Sequence, residues 1–311
     1  MNAADLPTFV KGHGTGNDFL LYADPDGVAE LTAETIAAVA DRHTGFGADG
    51  VIRAVRTSAP GVPAGVVGAD SVDSEWFMDY RNADGSVAEM CGNGIRVFTA
   101  FLRHENLLDL PDGGSTAIAT RAGVLQVRRE GEEYAVDMGV WSAPGGPDAL
   151  AEGFDVSVVV PGLTEQRPGL RLDLPNPHTV VAVESADELD ELDLHRAPGV
   201  DPSPEHGTNV EFVLPLGEQE VDEVDRDGQV TGTVTMGVVR MRVHERGVGE
   251  TLSCGTGACA AALAVRTWFG DGAPDEWQVQ VPGGTLRVRA LAEQHVELAG
   301  PAQLVGRVTP L

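Results

Sequence analysis

The sequence predicts a mixed α/β (α+β) fold built from two related halves, and two observations lead to this prediction. Apolar segments with the length and composition of strands outnumber the segments with helical periodicity, and the two kinds do not alternate regularly. This order favours a mixed architecture over a doubly wound parallel sheet. A short motif at the start of a predicted helix also occurs twice in the chain, which indicates an internal duplication.

Few segments have helical periodicity, and each follows a residue that suits a helix N-terminus. Thr32 begins the amphipathic segment TAETIAAVADRH, and Ser185 opens the capping box Ser-Ala-Asp-Glu. Cys91 precedes one predicted helix, and Cys254 precedes an alanine-rich one that ends at Gly270. We therefore expect a helix after each of these four starting residues.

The other apolar segments are predicted strands, and two of them read as hairpins because turn residues interrupt them. They span residues 50–56, 75–80, 116–129 (a hairpin), 156–160, 179–183, 210–214, 234–244 and 277–290 (a hairpin). Residues 58–74 are rich in Ala, Gly and Pro, and residues 217–232 are acidic and rich in turn formers. We expect both of these segments to be solvated surface insertions.

The internal repeat divides the chain into two domains. The motif Cys-Gly-x-Gly occurs at Cys91 and again at Cys254, with a predicted helix after each and a methionine before each at the same spacing. The repeat predicts an N-terminal domain of residues 1–137 and a C-terminal domain of residues 138–300.

The composition excludes several classes of protein. The chain has 48 acidic and 21 basic residues and a net charge of -27, so we expect it to bind neither nucleic acid nor an anionic membrane. No apolar run approaches the ~20 residues that cross a bilayer, and the N-terminus lacks a signal-peptide pattern. A cytoplasmic location is therefore expected.

Residue counts also restrict the cofactors. Lys11 is the only lysine, so a Schiff base to pyridoxal phosphate would have to form there. The cysteines Cys91, Cys254 and Cys259 are odd in number and lack the Cys-x-x-Cys spacing of structural zinc sites. We expect neither an organic cofactor nor a metal.

The repeated motif indicates acid–base chemistry. The free N–H groups of a first helical turn bind a carboxylate or phosphate, and their partial positive charge lowers the pKa of a cysteine placed there. Inverting a carbon centre needs a base on one face and an acid on the other, both titrating near neutral pH. Two such thiols predict a cofactor-independent racemase or epimerase. The alternative for each is a small buried side chain, which is also what we expect of Cys259, since it lacks the motif.

The sequence resembles the diaminopimelate epimerase family through motifs that run in order along nearly the whole chain. They are His13-Gly-Thr-Gly-Asn17-Asp-Phe, Asp41-Arg-His, Arg81-Asn-Ala-Asp-Gly-Ser86, Met90-Cys-Gly-Asn-Gly94, Pro175-Asn-Pro-His178, Glu245-Arg-Gly-Val-Gly-Glu-Thr251, Ser253-Cys-Gly-Thr-Gly-Ala258, Pro282-Gly-Gly284 and Gly300-Pro-Ala302. The resemblance implies two pseudo-symmetric domains, each a curved sheet wrapped around a central helix, with a C-terminal strand, residues 301–311, returning to the first domain. It also implies conversion of LL- to meso-diaminopimelate on the route to lysine and, in many bacteria, to peptidoglycan.

Matching motif positions carry the family's residue roles onto this chain. Cys91 and Cys254 take the positions of the two acid/base residues, and His178 and Glu245 take those of the groups that assist the thiols. The implied substrate-binding residues are Asn17, Asn82, Gly92, Asn93, Asn176, Asn209, Glu245, Arg246, Gly255 and Thr256. Of these, Arg246 suits a bidentate contact with a distal carboxylate. The expected partners are diaminopimelate and, in a homodimer, a second copy of the chain.

The sequence departs from the family pattern at two site positions and leaves two other functions open. Gly50 stands where many relatives have glutamine, so a contact near the substrate amine must come from another group or from water. Thr256 replaces a more usual serine, which leaves the backbone donors intact. A proline racemase-like enzyme would use the same two-cysteine chemistry on a cyclic amino acid. A noncatalytic thiol redox or metal-binding protein is the alternative from another class. Arg246 and the asparagines favour a substrate with a second charged end.

Overall fold

Strands predominate over helices in the computed structural model, and the predicted mixed class is confirmed. The structure describes residues 6–63, 74–160, 165–174, 176–224 and 229–310. These residues contain eighteen strands and five α-helices in two compact units. Unit 1 extends to Asp137 and includes the chain from Ala299 onward, and unit 2 comprises Met138–Leu298.

Unit 1 is organised around one long buried helix, α2. Its elements are β1 (Phe9–Gly14), β2 (Asn17–Ala23), α1 (Ala33–Ala40), β3 (Gly50–Arg56), β4 (Trp76–Asn82), α2 (Gly92–His104), β5 (Ser115–Thr120), β6 (Gly123–Glu130), β7 (Glu133–Val140, which crosses the boundary) and, at the C-terminal end, β18 (Gln303–Val308). Helix α2 is buried from Gly92 to Leu102 and contacts β1 to β4 and β18. Strand β2 runs parallel to β3 and antiparallel to β1, which in turn pairs with β18.

Unit 2 is organised around α5 in the same way. Its elements are α3 (Gly146–Glu152), β8 (Val156–Val159), β9 (Arg167–Leu174), β10 (Asn176–Ala182), α4 (Ala186–Glu191), β11 (Gly199–Asp201), β12 (Asn209–Val224), β13 (Val230–Glu245), β14 (Gly249–Thr251), α5 (Gly255–Phe269), β15 (Glu276–Val281), β16 (Gly284–Ala290) and β17 (His295–Pro301, which crosses the boundary). Helix α5 contacts β9, β10, β12, β13, β15 and β16. Small alanine side chains let these strands approach the helix closely, and Cys259 is fully buried there.

The strands beside α2 and α5 share one pairing scheme. In unit 1 the parallel pair β2 and β3 aligns Phe19 with Gly50, and in unit 2 the parallel pair β10 and β12 aligns His178 with Asn209. The second strand of each pair is antiparallel to the next, β4 in unit 1 and β13 in unit 2. Positions in the two units can therefore be matched along the strands.

The predicted helix starts agree with the structure because they depend on local capping. Thr32 Oγ1 accepts the backbone N–H of Thr35 at 3.2 Å, and Ser185 Oγ accepts that of Glu188 at 3.1 Å. None of the helices in the described parts of the chain is long and apolar enough to cross a membrane.

The prediction of a surface loop over residues 217–232 is wrong. The described part of this segment continues β12 and β13 as a long antiparallel hairpin, which aligns Gln219 with Met236 and Val221 with Val234. Its acidic composition suggested a loop, but β-branched residues recur between the charges, as in an exposed strand pair. Residues 225–228 lie outside the described residues, as do residues 64–73 of the other predicted insertion and Pro175 of one motif.

Some elements carried no recognisable sequence signal. The glycine-rich segment after Phe9 is a hairpin, in which Thr15 (φ 48°) and Gly16 (φ 87°) form the turn between β1 and β2. The sequence analysis also did not predict α3, β7, β9, β11, β14 and β17, whereas β18 lies within the C-terminal strand that the resemblance implied.

Candidate active site

Each unit presents a cysteine as the N-cap of its central helix. Cys91 caps α2 and Cys254 caps α5, both with the extended backbone usual for an N-cap. Each Sγ accepts the backbone N–H of the glycine three positions later, Gly94 or Gly257, at 3.4 Å. The N–H groups of such a first turn, which here includes Gly92 or Gly255, are donors that suit a carboxylate.

In unit 1, amide side chains surround the half-buried thiol of Cys91. The thiol donates to Asn17 Oδ1 at 3.4 Å, and Asn93 Nδ2 donates to the same oxygen at 3.5 Å. Asn17 Nδ2 donates to Asp49 Oδ2 at 2.8 Å. Because Asp49 accepts from the NH₂ end of the amide, the carbonyl end of Asn17 is directed at the thiol.

A network of charges fixes Asp49 behind Asn17. Arg42 donates to Asp49 Oδ1 at 2.6 Å and to Asp18 Oδ1 at 2.7 Å, and Lys11 Nζ lies 2.9 Å from Asp18 Oδ2. Burial would raise the pKa of Asp18, but the hydrogen bonds and charges of Arg42 and Lys11 lower it to about 2. Asp18 is therefore ionised at neutral pH and keeps both cations in place.

The position without the family's glutamine is closed to any side chain. A Cβ added at Gly50 would lie 2.5 Å from Cε2 of Tyr80 and 2.6 Å from the carbonyl oxygen of Arg81. The Tyr80 ring, which packs edge-on against Phe19, takes this space. The Tyr80 hydroxyl oxygen lies 3.2 Å from the same point. The Tyr80 side chain therefore occupies the space next to residue 50.

In unit 2, the thiol of Cys254 lies among groups that carry charge. Its Sγ is 3.5 Å from Thr256 Oγ1, which accepts from Asn176 Nδ2 at 3.3 Å. Burial raises the pKa of Cys254 well above its ordinary value, and the negative charges of Glu245 and Glu211 raise it further. The prediction that the helix N-terminus lowers the thiol pKa is therefore wrong for Cys254. Burial and the two carboxylates raise this pKa by more than the helix N-terminus lowers it.

Glu245 is in direct contact with this thiol. It is the last residue of β13 and forms hydrogen bonds with the hydroxyl of Thr251 and the thiol of Cys254. Burial raises the pKa of Glu245, and the charge of Glu211 adds to the rise, while the hydrogen bond from Thr251 opposes it. A thiol and a carboxyl group that both resist ionisation can share one proton.

His178 forms a buried pair with a residue that the sequence analysis did not select. Its Nδ1 lies 2.7 Å from Oε1 of Glu211, and neither side chain has any exposed area. The signal was present in the sequence, since Glu211 interrupts the otherwise apolar segment Val-Glu-Phe-Val-Leu of β12. A charged residue in such a strand is buried only for a specific reason.

The remaining predicted residues lie at strand ends. Asn209 Oδ1 accepts the backbone N–H of Arg246 at 2.9 Å, and Arg246 Nη1 donates to the carbonyl of His206 at 2.7 Å. Arg246 is exposed, and no ion pair joins it to an acid within the part of the chain that the structure describes. Asn82 Nδ2, at the end of β4, donates to Ser86 Oγ at 3.0 Å.

The structure thus groups the predicted residues by unit. Cys91, Asn17 and Asn93 are joined by hydrogen bonds in unit 1, and Cys254, Glu245, Thr256 and Asn176 are joined in unit 2. In the described ranges, no three His, Cys, Asp or Glu side chains are arranged to hold a metal ion.

The fold defines the class of protein. Over 97% of this chain and 98% of the other, it matches the crystal structure of a Bacillus anthracis phenazine biosynthesis protein of the PhzF family, with a TM-score of 0.60 and 17% sequence identity. At this identity the likeness concerns the fold alone. It places the chain among the mixed α/β proteins of this architecture.

The sequence then identifies the family. The family description "Diaminopimelate epimerase" matches residues 9–143 and 172–305. A diaminopimelate epimerase of Rhodococcus opacus is 42% identical over 310 residues, covering 96% of this chain and 94% of the relative. One of Streptomyces coelicolor is 39% identical over 305 residues, covering 96% and 93%. The chain belongs to the diaminopimelate epimerase family, and the resemblance seen in the motifs is confirmed.

Proposed function

We propose that this protein is a cofactor-independent isomerase that interconverts LL- and meso-2,6-diaminopimelate with two cysteines as acid and base. The observation that carries the proposal is the repeated N-cap thiol, Cys91 on α2 and Cys254 on α5. The relatives named diaminopimelate epimerase support the substrate, since they match nearly the full length of the chain.

The proton is transferred in two balanced half-steps. A thiolate removes the α-proton from one face of the carbon and becomes a thiol, while the other thiol gives its proton to the opposite face and becomes a thiolate. In the reverse direction the two cysteines exchange roles. Because burial and neighbouring carboxylates raise the pKa of Cys254, we propose that Cys254 acts as the acid in the direction in which Cys91, after losing its proton, acts as the base.

Backbone donors would hold the reacting carboxylate. Gly92 and Asn93 supply N–H groups in the first turn of α2, and Gly255 and Thr256 supply them in the first turn of α5. These donors stabilise the negative charge that develops when the α-proton leaves, and they need no reorganisation because each helix fixes them.

His178 and Glu245 assist the thiols in this proposal. Glu245 bonds to Cys254 and can accept its proton, which allows the thiol to change its ionisation during turnover. His178 lies close enough to influence the charge on Glu245. Asn17 positions the other thiol through its carbonyl oxygen.

The distal end of the substrate carries a carboxylate and an ammonium. Asn82, Asn176, Asn209 and Arg246 are the proposed partners of this end. The guanidinium of Arg246 is exposed and donates only one described hydrogen bond, to His206, so it retains N–H groups for a bidentate contact with the carboxylate. This requirement for a second charged end argues against proline as the substrate.

The setting of the enzyme follows from its chemistry. We propose a cytoplasmic step in the biosynthesis of lysine and of peptidoglycan precursors, no binding to nucleic acid, and a homodimer as the assembly. In this proposal the domain of residues 1–137 with 301–311 carries one of the two acid/base cysteines, and the domain of residues 138–300 carries the other.

Solvent deuterium tests substrate and chemistry together. In D₂O the protein should incorporate deuterium at an α-carbon of diaminopimelate, and it should leave proline, alanine and lysine without measurable exchange. Exchange into proline alone would favour the racemase alternative. A thiol redox or metal-binding protein would give no exchange into any of these amino acids.

A further inference from the structure

Glu211 is a fully buried carboxylate to which the proposed mechanism assigns no role. It lies on β12, and its Oε1 is 2.7 Å from Nδ1 of His178. Both side chains are 0% exposed. Placing two ionisable groups in the interior costs desolvation free energy, and an apolar pair of similar volume is often as stable or more so. Stability alone therefore does not account for the pair.

The equivalent positions in unit 1 are apolar. When the parallel strand pairs of the two units are matched by register, Phe19 is equivalent to His178 and Ile52 is equivalent to Glu211. Both apolar side chains flank the second glycine of the Cys91 cap: a Cβ added at Gly94 would lie 3.3 Å from Ile52 Cδ1 and 3.5 Å from Phe19 Cζ. The fold accepts an apolar pair here, so it does not require charge.

Glu211 reaches the cap of Cys254 itself. A Cβ added at Gly257 would lie 2.7 Å from Glu211 Oε1 and 3.3 Å from Cys254 Sγ. Glu211 Oε1 and Cys254 Sγ therefore both lie beside Gly257, and the distance between these two atoms is at most the sum of the two values. The absent side chain of Gly257 leaves the room that the carboxylate occupies.

The chemistry of the pair selects one form of the imidazole. In its ionised form the Glu211 carboxylate only accepts hydrogen bonds, and in that form it pairs with an imidazole that carries the hydrogen on Nδ1. This bond fixes the orientation of the ring and the identity of its two nitrogens. Within the described residues, His178 Nε2 is buried and has no hydrogen-bond partner. It is the free position at which a proton can be exchanged.

We propose that Glu211 is a positioning residue of the Cys254 half-site, which holds His178 in one orientation and one tautomer for proton transfer. This inference rests on the proposed function, because it assumes that His178 assists an acid/base cysteine. Glu211 does not touch the substrate in this proposal and acts through the imidazole.

Several ionisable groups face His178 and enter the expected pH dependence. They are Glu211 from β12, Glu245 from β13 and Asp173 from β9, and Glu211 and Glu245 in turn act on Cys254 at the start of α5. Burial raises the pKa of Asp173, and the charge of His178 opposes this rise. Because these groups titrate together, a substitution at Glu211 should change the pH dependence of the whole set and not the pKa of one residue alone.

The first experiment replaces Glu211 with glutamine, which has the same shape. The amide can accept from Nδ1 or donate to it, so Glu211→Gln no longer selects a tautomer. We expect kcat to fall at least about tenfold, a part of the about 10²- to 10⁴-fold that general acid–base catalysis contributes, with KM within about twofold of wild type. The pH profile of kcat should shift as well. Wild-type kcat with an unchanged pH profile would overturn the proposal.

A matched control removes a buried carboxylate elsewhere. Asp24 is buried in unit 1 and accepts from Arg53 Nε at 2.9 Å. Asp24→Asn should lower stability but leave the pH profile of kcat unchanged. The same shift of the profile in both variants would mean a general effect of lost stability, and it would count against Glu211.

A second measurement needs neither a variant nor turnover. In ¹⁵N-labelled wild-type protein, the nitrogen chemical shifts of His178 should report a protonated Nδ1. A neutral ring protonated at Nε2 alone would overturn the proposal. If the wild-type protein failed to exchange deuterium into diaminopimelate, the proposed function would fall, whereas this spectrum would still decide whether Glu211 sets the tautomer.

Discussion

The two cysteine caps are alike in backbone and different in electrostatics. In unit 1 the thiol contacts the amide of Asn17, and the matched positions beneath its helix are Phe19 and Ile52. In unit 2 these two positions are His178 and Glu211. The duplication has therefore kept the geometry of the N-cap in both units and has placed an ionisable pair in only one of them.

This difference separates two requirements of the chemistry. Binding a carboxylate needs backbone donors, which both helices supply through the same Cys-Gly-x-Gly turn. The pKa of the Cys254 thiol is raised by burial and, in addition, by the negative charges of Glu245 and Glu211, which have no counterpart among the described hydrogen bonds of Cys91. The comparison teaches that duplicated caps can share one backbone geometry while they differ in the polar and charged groups around the thiol.

The largest effect should come from removing either thiol. Cys91→Ala and Cys254→Ala should each reduce epimerisation about 10⁴-fold, the upper range for general acid–base catalysis, because each thiol serves one face of the carbon. Steady-state assays and circular dichroism would check activity and fold. Cys259→Ala, in the core of α5, is the control and should retain most activity. Near wild-type turnover in either variant at 91 or 254 would remove the two-base assignment.

The next effect concerns the stability of the buried pair. His178→Phe alone leaves the Glu211 carboxylate without its partner and should cost about 3–5 kcal/mol of unfolding free energy. The double change His178→Phe with Glu211→Ile copies the apolar pair of unit 1 and should restore most of that stability while the protein stays inactive. Urea denaturation would measure both. A double variant no more stable than the single one would show that the two units are not interchangeable at these positions.

A smaller effect is expected from the cation found in only one unit. Arg246 follows Glu245, whereas Ala83 follows the matched Asn82 in unit 1. Arg246→Lys loses the bidentate geometry, which should reduce kcat/KM for diaminopimelate by about 10- to 100-fold, the equivalent of one charged hydrogen bond. Steady-state kinetics would measure it. An altered stability with an unchanged KM would place Arg246 outside the binding site.

The smallest effect contrasts the acids of the two units. The pKa of Asp18 is lowered to about 2 in unit 1, whereas the pKa of Glu245 is raised in unit 2. A lowered pKa stabilises the fold above the unfolded pKa of about 4, and this contribution disappears as the pH falls towards 2. Asp18→Asn should therefore remove on the order of 2 kcal/mol at neutral pH and flatten the loss of stability between pH 4 and 2.

Thermal or chemical unfolding as a function of pH would test this expectation. The exposed Asp271→Asn serves as the control and should leave the acid limb of the stability curve unchanged. An Asp18→Asn variant with the full wild-type loss of stability between pH 4 and 2 would mean that other carboxyl groups determine the acid limb.

The sequence predicted what depends on local chemistry. Thr32 and Ser185 were recognised as caps because their side chains bond to their own helices, and the two cysteines were recognised by the same logic. Glu211 was missed because pairing with His178 joins residues 33 positions apart in sequence, and only the sheet register brings them together. The raised pKa of Cys254 was missed for the same reason, since burial and neighbouring carboxylates are tertiary properties.

The long hairpin of β12 and β13 was missed for a different reason. Its charged residues give it the composition of a loop, but its backbone forms the hydrogen bonds of an antiparallel strand pair. Amino-acid composition indicates whether a segment is exposed to water, but it does not show which hydrogen bonds the backbone of that segment makes.

The sulfur that caps each helix also makes that helix sensitive to the charge on the sulfur. A thiolate accepts a hydrogen bond more strongly than a neutral thiol does, so the N–H of Gly94 or Gly257 is held more tightly when its cysteine is ionised. Each proton that moves during turnover would therefore tighten the first turn of one helix and loosen that of the other. The amide resonances of these two glycines would record, at any moment, which side of the reaction the enzyme has reached.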